Sequence, residues 1–309
     1  MAKKDLLICN RVKYSELMDI LKEKECCTSD LRILNDFINN RDVIDVSGLS
    51  GNTTFIVPND ENNKESYVIK ISPNDGELYD EYIVNNLFFK YGLAPEVIEY
   101  FSSNKDYLVN RFIEDECMID TYFSVDDLAR KLGSTLRSFH DLKWDKEKFD
   151  FMEAEVLIDN PDKFLNISLE HSEGFSYLRD YLKESHYKRI KEHIEEYGYL
   201  FKNDDVLVHG EFNPRNIFIK DGKLDKIMGF TDTHYGDRHF DIFYTMWSLA
   251  YYSKILDNQK LIDKVNQIFL DSYGRDVIDY ERLRLCGNIV CMYKQNPHEV
   301  NGLTRKLKL

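Results

Sequence analysis

One short segment carries residue types whose spacing could do chemistry: His209-Gly210-Glu211-Phe212-Asn213-Pro214-Arg215-Asn216. It places an acid and, five positions on, an asparagine. Phosphoryl transfer asks for that pairing: a carboxylate beside the attacking hydroxyl, and an amide oxygen on the metal that neutralises the phosphates. Carried on one loop, both groups can reach the same side of a cleft. Glu211 is therefore the candidate catalytic residue and Asn216 a candidate metal ligand. His209 reads as a structural hydrogen-bonding residue, not a proton shuttle. The acid-and-asparagine pattern is weak alone, so the elements around it decide its weight.

The apolar run Val206-Leu207-Val208 precedes the segment. After it, β-prone residues 217–220 and 223–228 flank Asp221-Gly222, the signature of a two-residue hairpin. Upstream, 14–24 and 30–40 read as helices, with Ser29 as N-cap of the second. A short apolar run (43–46), a turn signal (47–52) and a β-type run (53–57) come next. Residues 66–72 alternate as a strand, with Ile69 and Ile71 on one face and Val68 and Lys70 on the other. A helix from about Glu77 to Tyr91 stops at Gly92-Leu93-Ala94-Pro95. Strands near 97–101 and 107–112 close this part. From 113 the pattern is helical: Ser124 and Asp127 open a helix to about Leu142, and 175–199, 240–273 and 279–294 read as further helices. The expected fold class is α+β, with a small β-rich N-lobe and a larger helical C-lobe. The expected domains are an N-terminal helical extension over 1–40, a nucleotide-binding lobe over 41–113 and a helical lobe over 114–309.

The segment 209–216 resembles the H-G-D-x-x-x-x-N catalytic loop of the aminoglycoside phosphotransferase and choline kinase families. The Asp221-Gly222 hairpin and Phe240-Asp241-Ile242 resemble the elements just downstream of that loop in those families. The resemblance covers about residues 43–256 and implies a two-lobed, protein-kinase-like fold using ATP and Mg²⁺. Gly48-Leu49-Ser50-Gly51-Asn52 then resembles the nucleotide loop, so Gly48, Gly51 and Asn52 would lie against phosphates; read alone, the same residues make an ordinary hairpin turn. Lys70 resembles the lysine that contacts ATP phosphates, although by itself it is a solvated strand lysine. Glu81 falls where the family has that lysine's glutamate partner, with Glu77 as fallback. Asn110 to Ile113, Phe112 included, would be the hinge that meets adenine through its backbone. Asp241 would brace the catalytic loop by accepting from its backbone.

Two positions depart from the family pattern. Glu211 stands where the family has the catalytic Asp, displacing the carboxylate by one methylene. Gly229 stands where it has the metal-binding Asp, and glycine has no side chain to offer. Asp232, three residues on, is the candidate replacement ligand beside Asn216. Asp237 and His234 read as surface-loop residues, and His140 as a helix-packing histidine. Phe243, Tyr244, Trp247, Tyr251 and Tyr252 share spacings of three and four; an aromatic box for a quaternary ammonium is one reading, and a packed helix core is the favoured one.

Composition narrows the partners. The 309 residues carry a net charge of -14, which opposes phosphate backbones, so no nucleic acid is expected. It suits a cationic small substrate and ordinary solubility alike. No stretch approaches the roughly 20 apolar residues of a membrane span, and the N-terminus lacks a signal-peptide pattern; no membrane partner and a cytoplasmic location are expected. The six cysteines show neither paired nor zinc-type spacing. The expected function is ATP-dependent phosphoryl transfer to a small hydroxylated acceptor, with a cationic one among the candidates. The alternatives are a pseudokinase that binds nucleotide or a protein partner without transfer, and a protein that binds a small molecule without turnover. Each active reading requires Lys70, Glu81, Glu211 and Asn216 to converge on one groove.

Overall fold

Period-two alternation builds the first part of the molecule. The computed structural model describes residues 10–24, 26–46, 52–62, 64–72, 78–122, 124–144, 192, 196, 206–230 and 233–293. They fall into two units, one within Met1–Glu116 and Phe218–Thr231, the other within Cys117–Ile217 and Asp232–Leu309. The expected helix over 175–199 lies outside the described residues.

The first unit carries a six-stranded antiparallel sheet. Its strands are β1 (Asn10–Val12), β2 (Val43–Asp45), β3 (Thr53–Val57), β4 (Tyr67–Ser72), β5 (Val97–Ser102) and β6 (Asp106–Arg111), in the order β1-β2-β3-β4-β6-β5. Ile69 and Ile71 are buried and Lys70 is not, as the alternation predicts. Helices α1 (Tyr14–Glu23) and α2 (Thr28–Ile38) bury Leu17, Leu21, Leu34 and Ile38 in one core with Phe55, Ile69 and Tyr107 of the sheet. Residues 10–38 thus supply both a strand and a covering layer to this unit. The cap of α2 differs from expectation: the helix starts at Thr28 with Cys27 as N-cap. Ser29 sits inside the first turn, where its hydroxyl meets Asp30 instead of a helix amide. Asp30 accepts from Tyr107 Oη and Ser103 Oγ, both at 2.7 Å.

Arg41 closes the other end of α2. Buried, it donates to the carbonyls of Ile38 (3.0 Å), Pro58 (2.9 Å) and Glu65 (2.8 Å), and also to that of Phe37. One guanidinium therefore caps the helix and ties it to both ends of the loop between β3 and β4. Arg41→Ala is expected to lower the unfolding free energy by about 2 kcal/mol or more, because one buried and three part-buried carbonyls lose their donor. Arg41→Lys should recover little of it, since an ammonium cannot fork to these acceptors. Urea unfolding checks this; a loss below about 0.5 kcal/mol would contradict the capping role.

Helix α3 (Tyr79–Lys90) ends where Gly92 takes φ 75°. The amides of Leu93 and Gly92 return to the carbonyls of Phe88 (3.0 Å) and Phe89 (2.9 Å), a glycine-terminated stop. Strands β9 (Ile217–Lys220) and β10 (Lys223–Ile227) turn through Asp221 (φ 50°) and Gly222 (φ 72°), the left-handed pair that the Asp-Gly signal foretold. A two-residue strand β7 (Glu116–Cys117) joins them in the order β10-β9-β7. Beyond the hairpin, Ile227 donates to Leu93 O at 2.7 Å, and the Phe230 ring lies 4.4 Å from that of Phe88.

The described residues of the second unit are mostly helical, with β8 (Val206–Val208) paired with β11 (His234–Gly236). After α4 (Met118–Thr121), helix α5 (Val125–His140) begins on Ser124, whose hydroxyl accepts from the Asp127 amide. The expected helix over 240–273 is two helices, α6 (His239–Tyr252) and α7 (Gln259–Tyr273). Between them Lys254 is left-handed (φ 55°), and Asn258 caps α7 by accepting from Leu261. Helix α8 (Tyr280–Tyr293) comes last. Gly133 lets α5 and α7 touch: a Cβ there would lie 2.4 Å from Phe269 O. No helix among the described residues is long and apolar enough to cross a membrane.

Candidate active site

In the first unit, Lys70 stands on β4 and Glu81 in the first turn of α3. Their Nζ and Oε2 atoms are 2.5 Å apart, with side chains 21% and 6% exposed. A carboxylate this buried needs a partner, and Lys70 keeps two further protons for an anion. The expected hinge is held from behind: Asn110 Oδ1 accepts from Asn85 Nδ2 at 3.1 Å, so that side chain faces α3. The amides of Arg111 and Phe112 are committed to Glu96 O (2.9 Å) and Ser66 O (3.0 Å). What Phe112 can offer an adenine is therefore its carbonyl. Asn52 is buried, and its Oδ1 makes no hydrogen bond among the described residues. Gly48, Gly51 and Glu77 lie outside the described residues.

The second unit shapes the loop that leaves β8. Gly210 turns it at φ 82°. The Glu211 amide donates to His209 Nδ1 at 3.1 Å, so His209 is structural, as expected. Asn213 Oδ1 receives the amides of Arg215 (2.9 Å) and Asn216 (3.2 Å), while its Nδ2 donates to Glu211 O at 3.0 Å. Asn216 Nδ2 reaches the same Glu211 carbonyl at 3.1 Å. The loop thus brings Asn216 back beside Glu211, and Asn216 Oδ1 is the atom left to meet a cation. Thr245 Oγ1 donates to Phe212 O at 2.8 Å. Cys117 Sγ lies 3.1 Å from Pro214 O and 3.3 Å from Arg215 O, and burial pushes this thiol up to about 11.

Asp241, fully buried in the first turn of α6, is the anchor. It accepts the His209 amide at 2.7 Å and the Gly210 amide at 2.8 Å. His140 Nε2 lies 3.1 Å from its Oδ2. Burial pushes this carboxyl up, but the hydrogen bond and charge of His140 and the His209 amide outweigh it, and the group stays below the ordinary carboxylate range.

Two readings are corrected, those of Asp237 and His234. Asp237 is fully buried, not a surface residue: its carboxylate meets His239 Nδ1 at 2.5 Å and Arg282 Nη1 at 3.4 Å. His234 belongs to β11, where its backbone pairs with Val208. His140 packs between helices but is also hydrogen-bonded through both ring nitrogens. Sequence reasoning missed Asn213, Cys117 and Thr245; only Asn213, next to Pro214, carried a turn signal. The aromatic group on α6 is largely core. Phe243 and Tyr244 are buried, Trp247 stacks on Tyr251 at 5.8 Å, and the guanidinium over Tyr252, at 4.8 Å, is the chain's own Arg215.

The described residues fit a nucleotide better than they fit Mg²⁺. Lys70, braced by Glu81, is a cation available to phosphates. For a metal, Asn216 offers one neutral oxygen, and Gly229, at φ 81°, offers none; Asp232 lies outside the described residues. Magnesium held by protein ordinarily draws on one or two carboxylates, and none is described at either position.

An antiparallel sheet with a lysine–glutamate pair, together with a helical unit bearing an acid-to-asparagine loop, defines a kinase-like phosphotransferase fold of the α+β class. Solved structures agree. A thermostable mutant of aminoglycoside phosphotransferase APH(4)-Ia, in ternary complex with ADP and hygromycin B, superposes with a TM-score of 0.63 over 91% of this chain and 96% of that one, at 13% identity. Aminoglycoside-3'-phosphotransferase of type VIII gives 0.62 over 85% and 97%, at 18% identity. Residues 44–286 match the phosphotransferase enzyme family, and the chain belongs to that family. A curated relative, "Probable aminoglycoside 3'-phosphotransferase" of Lactococcus lactis subsp. lactis (strain IL1403), is 27% identical over 230 residues, covering 72% of this chain and 81% of its own length.

Proposed function

We infer that this family member is an ATP-dependent phosphotransferase whose acceptor is a small polyhydroxylated molecule, cationic in the manner of an aminoglycoside. The observation that carries the reading is the Lys70–Glu81 pair. Burying such a pair without further use brings little stability, whereas a lysine so held can meet phosphate oxygens. In the proposed reaction Lys70 binds the phosphates of ATP, Glu81 orients Lys70, and the Phe112 carbonyl receives the adenine amino group. Glu211 orients the acceptor hydroxyl and takes its proton as the oxygen attacks the γ-phosphorus of ATP, whose bond to the departing ADP oxygen breaks. Asn216 offers its Oδ1 to a cation that accompanies the phosphates. The names of the relatives support an acceptor of the aminoglycoside kind.

Gly229 favours a second reading, a pseudokinase that holds nucleotide without transfer. Thermal unfolding with ATP, in magnesium and in EDTA, separates the two. ATP at 100 times its dissociation constant is expected to add about 2.7 kcal/mol of stability, and this gain should vanish in Lys70→Met. A gain accompanied by acceptor-dependent ADP release supports the transferase. A gain with no release under any condition supports the pseudokinase. No gain in either buffer ends the transferase reading and leaves a pseudokinase that serves a protein partner.

A further inference from the structure

Every backbone carbonyl from Glu211 to Arg215 needs a donor once the loop is packed against the protein. Two of them are satisfied from within the loop. Glu211 O receives Asn213 Nδ2 (3.0 Å) and Asn216 Nδ2 (3.1 Å), and Asn213 O receives the Asn216 amide (3.0 Å). Those bonds fix the shape of the loop but not its place. The carbonyls of Phe212, Pro214 and Arg215 find donors outside it. Phe212 O receives Thr245 Oγ1 at 2.8 Å. Pro214 O receives the Ile119 amide at 3.1 Å and also lies 3.1 Å from Cys117 Sγ, and Arg215 O lies 3.3 Å from the same sulfur.

Thr245 is the stronger of the two outside side chains. It is fully buried, one turn after Asp241 on α6. A threonine inside a helix often returns its hydroxyl to the carbonyl four residues back, and its branched Cβ gains the helix nothing. Here the hydroxyl crosses to a residue 33 positions away. Valine would fill the same space, so what the threonine adds is the donor. Phe212 is the next residue after Glu211, and a Phe212 carbonyl without its donor must turn to find another, carrying the Glu211 backbone with it. Cys117 is the N-cap of α4, yet its side chain makes no capping hydrogen bond; it meets the loop instead. Burial pushes this thiol up to about 11, so at neutral pH it keeps the proton that the carbonyls of Pro214 and Arg215 share. A thiol is a weak donor, which makes this the weaker clamp.

We propose that Thr245 and Cys117 are positioning residues that clamp the loop 209–216 to the helical unit, Thr245 beside Glu211 and Cys117 beside Asn216. The consequence for turnover rests on the transfer reading of Glu211; the clamp itself does not. Thr245→Val, Thr245→Ser and Cys117→Ala test it through hydrogen exchange at the amides of Glu211, Arg215 and Asn216, all bonded within the loop. Exchange is expected to accelerate about tenfold in Thr245→Val, the factor for one buried carbonyl left without its donor. It should return toward wild type in Thr245→Ser, which keeps the hydroxyl. In Cys117→Ala the Arg215 and Asn216 amides should accelerate by about threefold. Amides of α7 should not change in any variant. For ATP turnover, kcat is expected to fall about tenfold or more in Thr245→Val with KM for ATP unchanged, and to recover in Thr245→Ser. Unchanged loop exchange in Thr245→Val overturns the proposal. So does a serine variant no better than the valine, or an equal acceleration in α7, which would mean general loosening. Should Thr245→Val fail to fold, Cys117→Ala decides, and Arg215 and Asn216 amides as slow as in wild type would then overturn the clamp. A wild type without ATP turnover would remove the transfer reading, and the exchange comparison would still judge Thr245 and Cys117.

Discussion

Asp241→Ala is expected to lower the unfolding free energy by about 3–5 kcal/mol, the loss seen when one partner of a buried charged network is removed. The carboxylate is fully buried and is the common acceptor for His209, Gly210 and His140. Its removal leaves two amides and an imidazole without that acceptor in a dry environment, and water cannot replace it without opening the helix packing. Asp241→Asn should fall between, because its amide nitrogen must confront one of the donors. Urea unfolding measures the difference, and a loss under about 1 kcal/mol would sink the anchoring role. The pH dependence has a definite sign. Asp241 is held below its unfolded value, so its contribution is fully present above about pH 4. It is lost as pH falls through the folded value, because the unfolded state then binds the extra proton. Asp241→Ala should therefore lose less stability than wild type on acidification below about pH 4.

Glu211 carries the largest expected effect on activity. Glu211→Gln is expected to reduce phosphoryl transfer by about 10²–10⁴-fold, the range for losing a positioned acid–base group. Glu211→Asp should move the other way and raise kcat by up to about 10²-fold, because the shorter carboxylate withdraws by one methylene and reaction geometry responds to shifts near 1 Å. Gly229→Asp should help less. The backbone there sits at φ 81°, a region that costs an L-residue roughly 1–2 kcal/mol. Steady-state ADP release with a saturating acceptor measures all three. A Glu211→Asp variant slower than wild type would mean that the loop has adapted to the longer side chain.

Much of the local structure around the candidate site is legible in the sequence because it depends on neighbours along the chain. Glu211 and Asn216 share one loop, Asp221-Gly222 names its own turn, and Lys70 falls out of simple alternation. Gly92 at the end of α3 is equally local, since only the next few amides decide how a helix stops. The cap of α2 is less legible because the helix starts one residue before Ser29, with Cys27 as N-cap, whose side chain makes no capping hydrogen bond that propensity could foretell. Asp237 reads as a loop residue because it is charged and stands beside Gly236; its burial depends on Arg282, 45 positions away. Which backbone atom of Phe112 is engaged is not legible either, as only the pairing with Ser66 shows that its amide already donates.

The amino-acid sequence by itself determined the order of the chemical groups and the periods that make strands and helices. These come from backbone dihedrals and spacings that act over a few residues. Tertiary structure alone decided that His140 meets Asp241 across 101 positions, that Tyr273 meets His140 across 133, and that Arg41 gathers the ends of a distant loop. Such contacts arise when apolar faces pack and leave polar groups no water to bond. The partner each one finds is then set by where whole helices and strands come to rest.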